Sequence, residues 1–343
     1  THALTQETIY ESILQRTRKQ LHQKVAEAIE AVFATRVADF YGMLAYHYSR
    51  AELIEKAEEY LFRAGDEAAR AAASSEALHF FREASRLYLV MHGEGGDPAK
   101  KALLEKSIGL ALLNKGSLLE SIDHFDRALV LLKEPVARTT SAIVRRLVVD
   151  LTAVMWSVYV RPQRYGVAQN LDHERCVLGL FYDRGRAEVT SDPRRLFCEL
   201  FTGLRRLNRV DPRQIEQACA MYVSCAGLIA YSGISFAVSR RMLDVAKSLL
   251  DESNIRDLFV YREAQFAFHY LLGDDWSDAH TIDAALIAQD LRLGQVWDVG
   301  NYLGIDCDRR LRRGEFEAAR AILAQLAEIS DQYGFAFAGT NHD

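Results

Sequence analysis

The sequence predicts an all-α fold, a right-handed solenoid of antiparallel helix pairs with roughly 15 helices. Three observations carry this reading. Proline is scarce (5 in 343 residues) and glycine modest (20), while alanine and leucine are abundant, which favours long helices over sheet. A hydrophobic fraction of 49% beside a charged fraction of 26% describes a chain with enough apolar side chains to fold. Finally, the stretch Lys101 to Pro135, KALLEKSIGLALLNKGSLLESIDHFDRALVLLKEP, reads as two amphipathic helices about a Lys115-Gly116-Ser117 turn, and variants of it recur along the chain.

That stretch is the clearest unit. Gly109 and Leu112 place a small and a large residue in its first helix, and Ser121, Phe125 and Ala128 follow at steps of four and three, which puts all three on one helical face. Small residues let paired helices approach, Phe125 fills the space between them, and Pro135 stops the second helix. The spacing resembles a tetratricopeptide repeat (TPR). It departs from that pattern at Ser121, where the repeat has Ala, and at Glu105, where an aromatic is usual.

Taken in order, residues 1 to 33 open with Thr5, Glu7 and Glu11 as a helix start. Leu21, Val25, Ala28, Ile29 and Val32 then form an apolar stripe, and Arg16, Arg18, Lys19 and Lys24 its solvated side. The phrase HALTQExxYESILxRxRKxLHxxVAEAIE resembles the junction between the ATPase module and the helical repeats of bacterial multidomain signalling proteins, which often carry a class III adenylate or guanylate cyclase domain. The resemblance implies that residues 1–35 are junction helices following an upstream ATPase module, and that any catalytic machinery lies there. The chain begins at Thr1 rather than Met, so an excised fragment is expected.

Residues 36–135 read as TPR-like repeats. Tyr41, Leu44, Ala45 and Tyr48, then Ala57, Leu61 and Ala64, reproduce the two-helix signature; Ala77, Phe81 and Ala84 repeat its second half after Ala73-Ser74-Ser75. The glycines of the loop from His92 to Pro98 are not followed by Lys-Ser/Thr in phosphate-loop register, so a connector is expected. Residues 136–209 read as divergent helical repeats: a long apolar helix from Ala142 to Val160, another ending at Tyr182, and a cap at Ser191-Asp192-Pro193. In residues 210–343, Gly233, Gly273 and Gly314 are spaced by 40 and 41 residues and mark turns of helix pairs from Asp211 to Glu252, Ile255 to Leu293 and Gly294 to Tyr333. Such lengthened repeats resemble the helical-repeat region of the maltose regulator and its relatives, which implies a tighter superhelix. The tail Phe335 to Asp343 lacks a polar capping helix, which a solenoid end requires, so the array is expected to continue.

A net charge of −5 argues against non-specific nucleic-acid binding. Five unpaired cysteines (176, 198, 219, 225 and 307) suit reduced thiols in a cytoplasm, and no apolar run reaches the ~20 residues of a membrane span. Motifs for a phosphate loop, a zinc protease or a serine hydrolase are missing, so no catalytic residue, cofactor or metal is expected. Cys219 and Cys225 read as small buried hydrophobes. His269 and His280 with Asp274, Asp275 and Asp278 read as a helix cap rather than a metal loop. Arg309, Arg310, Arg312 and Arg313, offset by Asp306, Asp308, Glu315 and Glu317, read as a salt-bridged helix end.

In a TPR the first helix of each pair lines the concave groove. Carried onto this chain, that assignment gives Asp39, Tyr46, Arg50, Lys106, Leu110, Asn114, Tyr231, Tyr261, Phe268, Asp308 and Arg312 as groove residues, with Tyr261 and Phe268 as aromatic anchors. The Lys/Asn/Arg carboxylate clamp of chaperone-binding members is not reproduced. The expected function is a non-catalytic regulatory and protein-interaction module of a multidomain signalling ATPase or cyclase, its partner a protein, a peptide or the upstream domains. The alternative is a sensor holding a small-molecule effector in the groove.

Overall fold

The computed structural model describes residues 10, 12–135, 140–159, 170–272 and 276–333. Fifteen α-helices and no strand occur among them. In chain order they are α1 Gln15–Val32, α2 Tyr41–Arg50, α3 Ile54–Arg70, α4 Ser74–His92, α5 Pro98–Asn114, α6 Leu118–Leu131, α7 Thr140–Tyr159, α8 Leu171–Ser191, α9 Pro193–Leu207, α10 Ala218–Tyr231, α11 Phe236–Leu249, α12 Ile255–Leu272, α13 Ala284–Arg292, α14 Val296–Arg312 and α15 Phe316–Tyr333.

Local chemistry sets the boundaries. Asp97, Asn170, Asp192, Ser235 and Asp283 each accept a backbone N–H from the first turn of the helix they precede, and Pro98 and Pro193 occupy the position where a missing N–H costs nothing. Glycines in left-handed backbone make the turns at Gly116, Gly233, Gly294 and Gly314. Gly273 of the expected turn series, Asp274 and Asp275, residues 1–9 with Glu11, and the tail Phe335 to Asp343 lie outside the described residues.

Packing follows the repeat logic, with one shift of phase. A Cβ on Gly109 would stand 2.6 Å from the Phe125 ring, so α5 and α6 touch where the sequence put a small residue against an aromatic. The same interlock, also 2.6 Å, joins Gly65 to Phe81, so α3 is the first helix of a pair with α4. The sequence assigned α3 to the second half of a pair with α2. The Gly–Phe contact rather than the alanine spacing fixes the phase, because only glycine admits the ring at that distance.

The expected α1 stripe is corrected. In α1 the buried residues are Ala26 and Ile29, while Leu21, Val25 and Val32 are exposed; α1 packs on α2 and on the 3-10 turn Ala34–Phe40. Between residues 136 and 209 the helices pack out of order: α8 lies on α6, and α7 lies on α9.

The array also winds back on itself. α14 touches α5, and a Cβ on Gly294 would meet the Ala69 carbonyl oxygen at 2.6 Å. One hydrophobic cluster accordingly joins Ala72, Leu113, Ile122 and Ala187 to Phe259, Ile287, Val296 and Tyr302. No helix among the described residues is long and apolar enough to cross a membrane.

Candidate functional site

The inner face of the superhelix encloses a cavity of about 490 Å³ walled by α8, α9, α10, α12 and α14. Its lining residues recur at helical spacing. α10 presents Ser224, Gly227, Leu228 and Tyr231, and α12 presents Val260, Glu263, Ala264 and Ala267, each a stripe one helical face wide.

That register decides the fate of the expected groove residues. Tyr231 lines the cavity and is 57% exposed. Tyr261 and Phe268 are one position along from the α12 stripe, and the ~100° turn per residue swings them into the core beside Cys219 and Ala246. They are packing residues, not open anchors. Tyr46 and Arg50 stand together on α2, with the Arg50 guanidinium 5.4 Å from the Tyr46 ring, and Asp39 is exposed on a short 3-10 turn; none of the three lines the cavity. Lys106 pairs with Asp183 at 3.5 Å, Leu110 packs against the core, and Asn114 is half-buried. Asp308 accepts a hydrogen bond from the Tyr270 hydroxyl and pairs with Arg312 at 3.0 Å.

The surrounding motifs settle as structure. Arg309 binds Asp278 and Asp306, Arg310 binds Asp306 and Glu315, and Arg313 binds Glu315, while Glu317 pairs with Arg320. Asp278 opens a 3-10 turn capped by Ser277, and His269 stacks on His280 at 3.8 Å. Cys219 and Cys225 are buried, and burial pushes the Cys219 thiol up to about 12.

Charge inside the cavity is unbalanced. Its wall holds Glu188, Glu199, Glu263 and Asp298 with one arginine, Arg186, while Arg195, outside the lining, pairs with Glu199 at 3.2 Å. Asp298 is paired with Arg186 at 3.3 Å, and Glu188 lies 3.2 Å from both Arg184 and Arg195. Glu263, 8% exposed, has no cationic partner among the described residues and accepts only from the Asn301 amide. Burial first, then the charge of Asp298, pushes its carboxyl up to about 8. Burial, then Asp298 again, pushes neighbouring Asp290 to about 8, and neither oxygen of Asp290 has a hydrogen-bond partner. Enclosure by the concave wall, with Glu263 nearby, lifts the Tyr231 hydroxyl to about 12. Arg186 lies over Trp297 at 5.2 Å, and each keeps one N–H without an acceptor.

Glu263, on giving up its proton, can hold a positively charged group by charge, with the Tyr231 ring on the same cavity wall. No group of three or more metal-ligating side chains occurs among the described residues. Sequence reasoning missed Glu263, Trp297 and Arg186. An acid inside the apolar run of α12 was the one available signal.

No family model matches the chain. Over 112 residues it is 32% identical to an uncharacterised protein of Rhizobium meliloti (strain 1021); that stretch is 33% of this chain and 11% of the other, which makes that protein about three times as long. Among solved structures, the fold is similar to a Rap protein complexed with Competence and Sporulation Factor, with a TM-score of 0.53 at 13% identity, covering 95% of this chain and 78% of that one. The shared architecture is a TPR-like helical repeat.

Proposed function

We propose that this chain is a non-catalytic recognition module whose inner cavity takes a basic side chain from a peptide or protein partner, and that it serves as the regulatory arm of a multidomain signalling ATPase or cyclase. The observation that carries the ligand assignment is Glu263, an acid buried in a ligand-sized cavity that forms no ion pair among the described residues and that an incoming cation would draw into its ionised form. Desolvation makes such a group costly alone and strongly attractive to an incoming guanidinium or ammonium. The Rap protein of similar fold is complexed with Competence and Sporulation Factor, so one protein of this architecture does bind a factor. The multidomain setting draws support from the junction-like phrase of residues 1–33 and from the greater length of the Rhizobium meliloti relative. The full open reading frame tests that setting directly.

The cavity's volume favours a second reading, a sensor of a small cationic effector, since about 490 Å³ falls in the ~300–1,000 Å³ range of small-molecule sites. Titration calorimetry with matched basic, neutral and acidic peptide sets, and with simple amines, separates the two. Binding of basic peptides that weakens about tenfold or more in Glu263→Gln supports the peptide reading. Binding of amines alone supports the sensor, and equal binding of all three peptide sets overturns both.

A further inference from the structure

A second cavity, of about 610 Å³, opens where α7 packs on α9. Arg145 and Arg146 of α7, Arg205 and Arg206 of α9 and Arg209 of the turn that follows α9 line it, and one carboxylate, Asp150, shares the wall. Five guanidiniums gathered in one concavity of a chain of net charge −5 repel one another unless something negative sits among them.

The back of this cavity is fixed. Asp150 is 2% exposed, accepts from the Thr202 hydroxyl at 2.6 Å and from Arg205 at 2.7 Å, and lies 3.6 Å from Arg146. Glu134 and Glu174 grip Arg206 from the other side. Arg145 and Arg209, at the exposed rim, have no carboxylate partner among the described residues. Neither has an acidic residue three or four positions away, Arg145 on α7 or Arg209 in the turn after α9. All five cations are arginine rather than lysine, and the planar guanidinium fork matches two oxygens of a phosphate at once. Pro135, Val149 and Phe181 add an apolar wall beside the charges.

We propose that this cavity binds a small phosphorylated organic molecule, its phosphates held by Arg145, Arg209 and the buttressed arginines and its organic part laid against Val149 and Phe181. The site is a different cavity from the inner one, though Phe181 lines both, and its arginines take no part in the inner cavity's wall. Its volume suits a ligand the size of a nucleoside phosphate.

The test uses the whole chain and three probes, ATP, inorganic pyrophosphate and sulfate, titrated at low and at physiological salt. ATP is expected to bind saturably and more tightly than pyrophosphate, with affinity falling as salt rises. The Arg145→Gln, Arg209→Gln double variant, which removes no ion pair among the described residues, should keep the helical circular dichroism and lose about tenfold or more in ATP affinity. Equal affinity for ATP and pyrophosphate, binding that requires a long polyanion such as RNA, or an unchanged affinity in the double variant would overturn the proposal.

Discussion

Glu263 carries a stability cost that pH reveals. In the unfolded chain its carboxyl ionises near the ordinary 4.5, and in the fold burial holds the proton until about 8. Between those values the folded state binds more protons than the unfolded one, so stability falls as pH rises; the contribution is fully present below about 4.5 and lost through about 8. Glu263→Gln cannot ionise and can still accept from Asn301. It is expected to leave stability unchanged near pH 4 and to raise it by up to a few kcal/mol at pH 8, measured by urea denaturation at both values. Asp290 shifts the same way, so some pH slope remains in the variant. A variant equally stable to the parent at pH 8 would mean that Glu263 is already ionised and balanced there. At this scale Gly109 and Phe125 were readable because small–large complementarity and spacing sufficed. Tyr261 and Phe268 were not, because choosing between adjacent apolar positions on a helix with apolar residues on more than one side needs the azimuth that the neighbouring helices impose.

The helix boundaries were legible where a glycine supplied the left-handed turn; Glu52, Ala72 and Lys133 make such turns without one. Gly116, Gly233 and Gly314 mark turns that only a left-handed residue closes. The middle of the chain blurred for a physical reason: with α7 on α9 and α8 on α6, each helix there meets partners other than those a regular repeat supplies, so its apolar pattern answers to different neighbours. Gly294 separates turn chemistry from tertiary closure. Gly294 and Gly314 have nearly equal backbone angles (φ 76° and 77°), yet a Cβ at 314 would meet open space and one at 294 the Ala69 carbonyl. Both alanine variants should lose about 1 kcal/mol to the left-handed backbone. Gly294→Ala should lose about 1–3 kcal/mol more and enlarge the radius of gyration in small-angle scattering as the winding loosens. Equal losses with unchanged dimensions would show that the contact between the two turns contributes nothing.

The coiling of the whole molecule was the least legible feature, because it accumulates from small rotations between units that no single unit records. Its consequence is energetic. An open solenoid frays from its ends, since each unit contacts only near neighbours; here the Gly294 turn rests on residues of the α3–α4 connection, and one cluster joins the two halves. The inner cavity draws its wall from five helices spread between residues 171 and 312, so a ligand there couples units that the chain alone links weakly. At ~100 times its dissociation constant such a ligand stabilises the fold by about 2.7 kcal/mol. Hydrogen exchange with a saturating basic peptide should therefore slow across α8, α10, α12 and α14 together, leave α2 nearly unchanged, and raise the melting midpoint as one transition. Protection confined to a single helix pair, with no shift of the midpoint, would place the peptide outside the cavity and detach the recognition role from the superhelical winding.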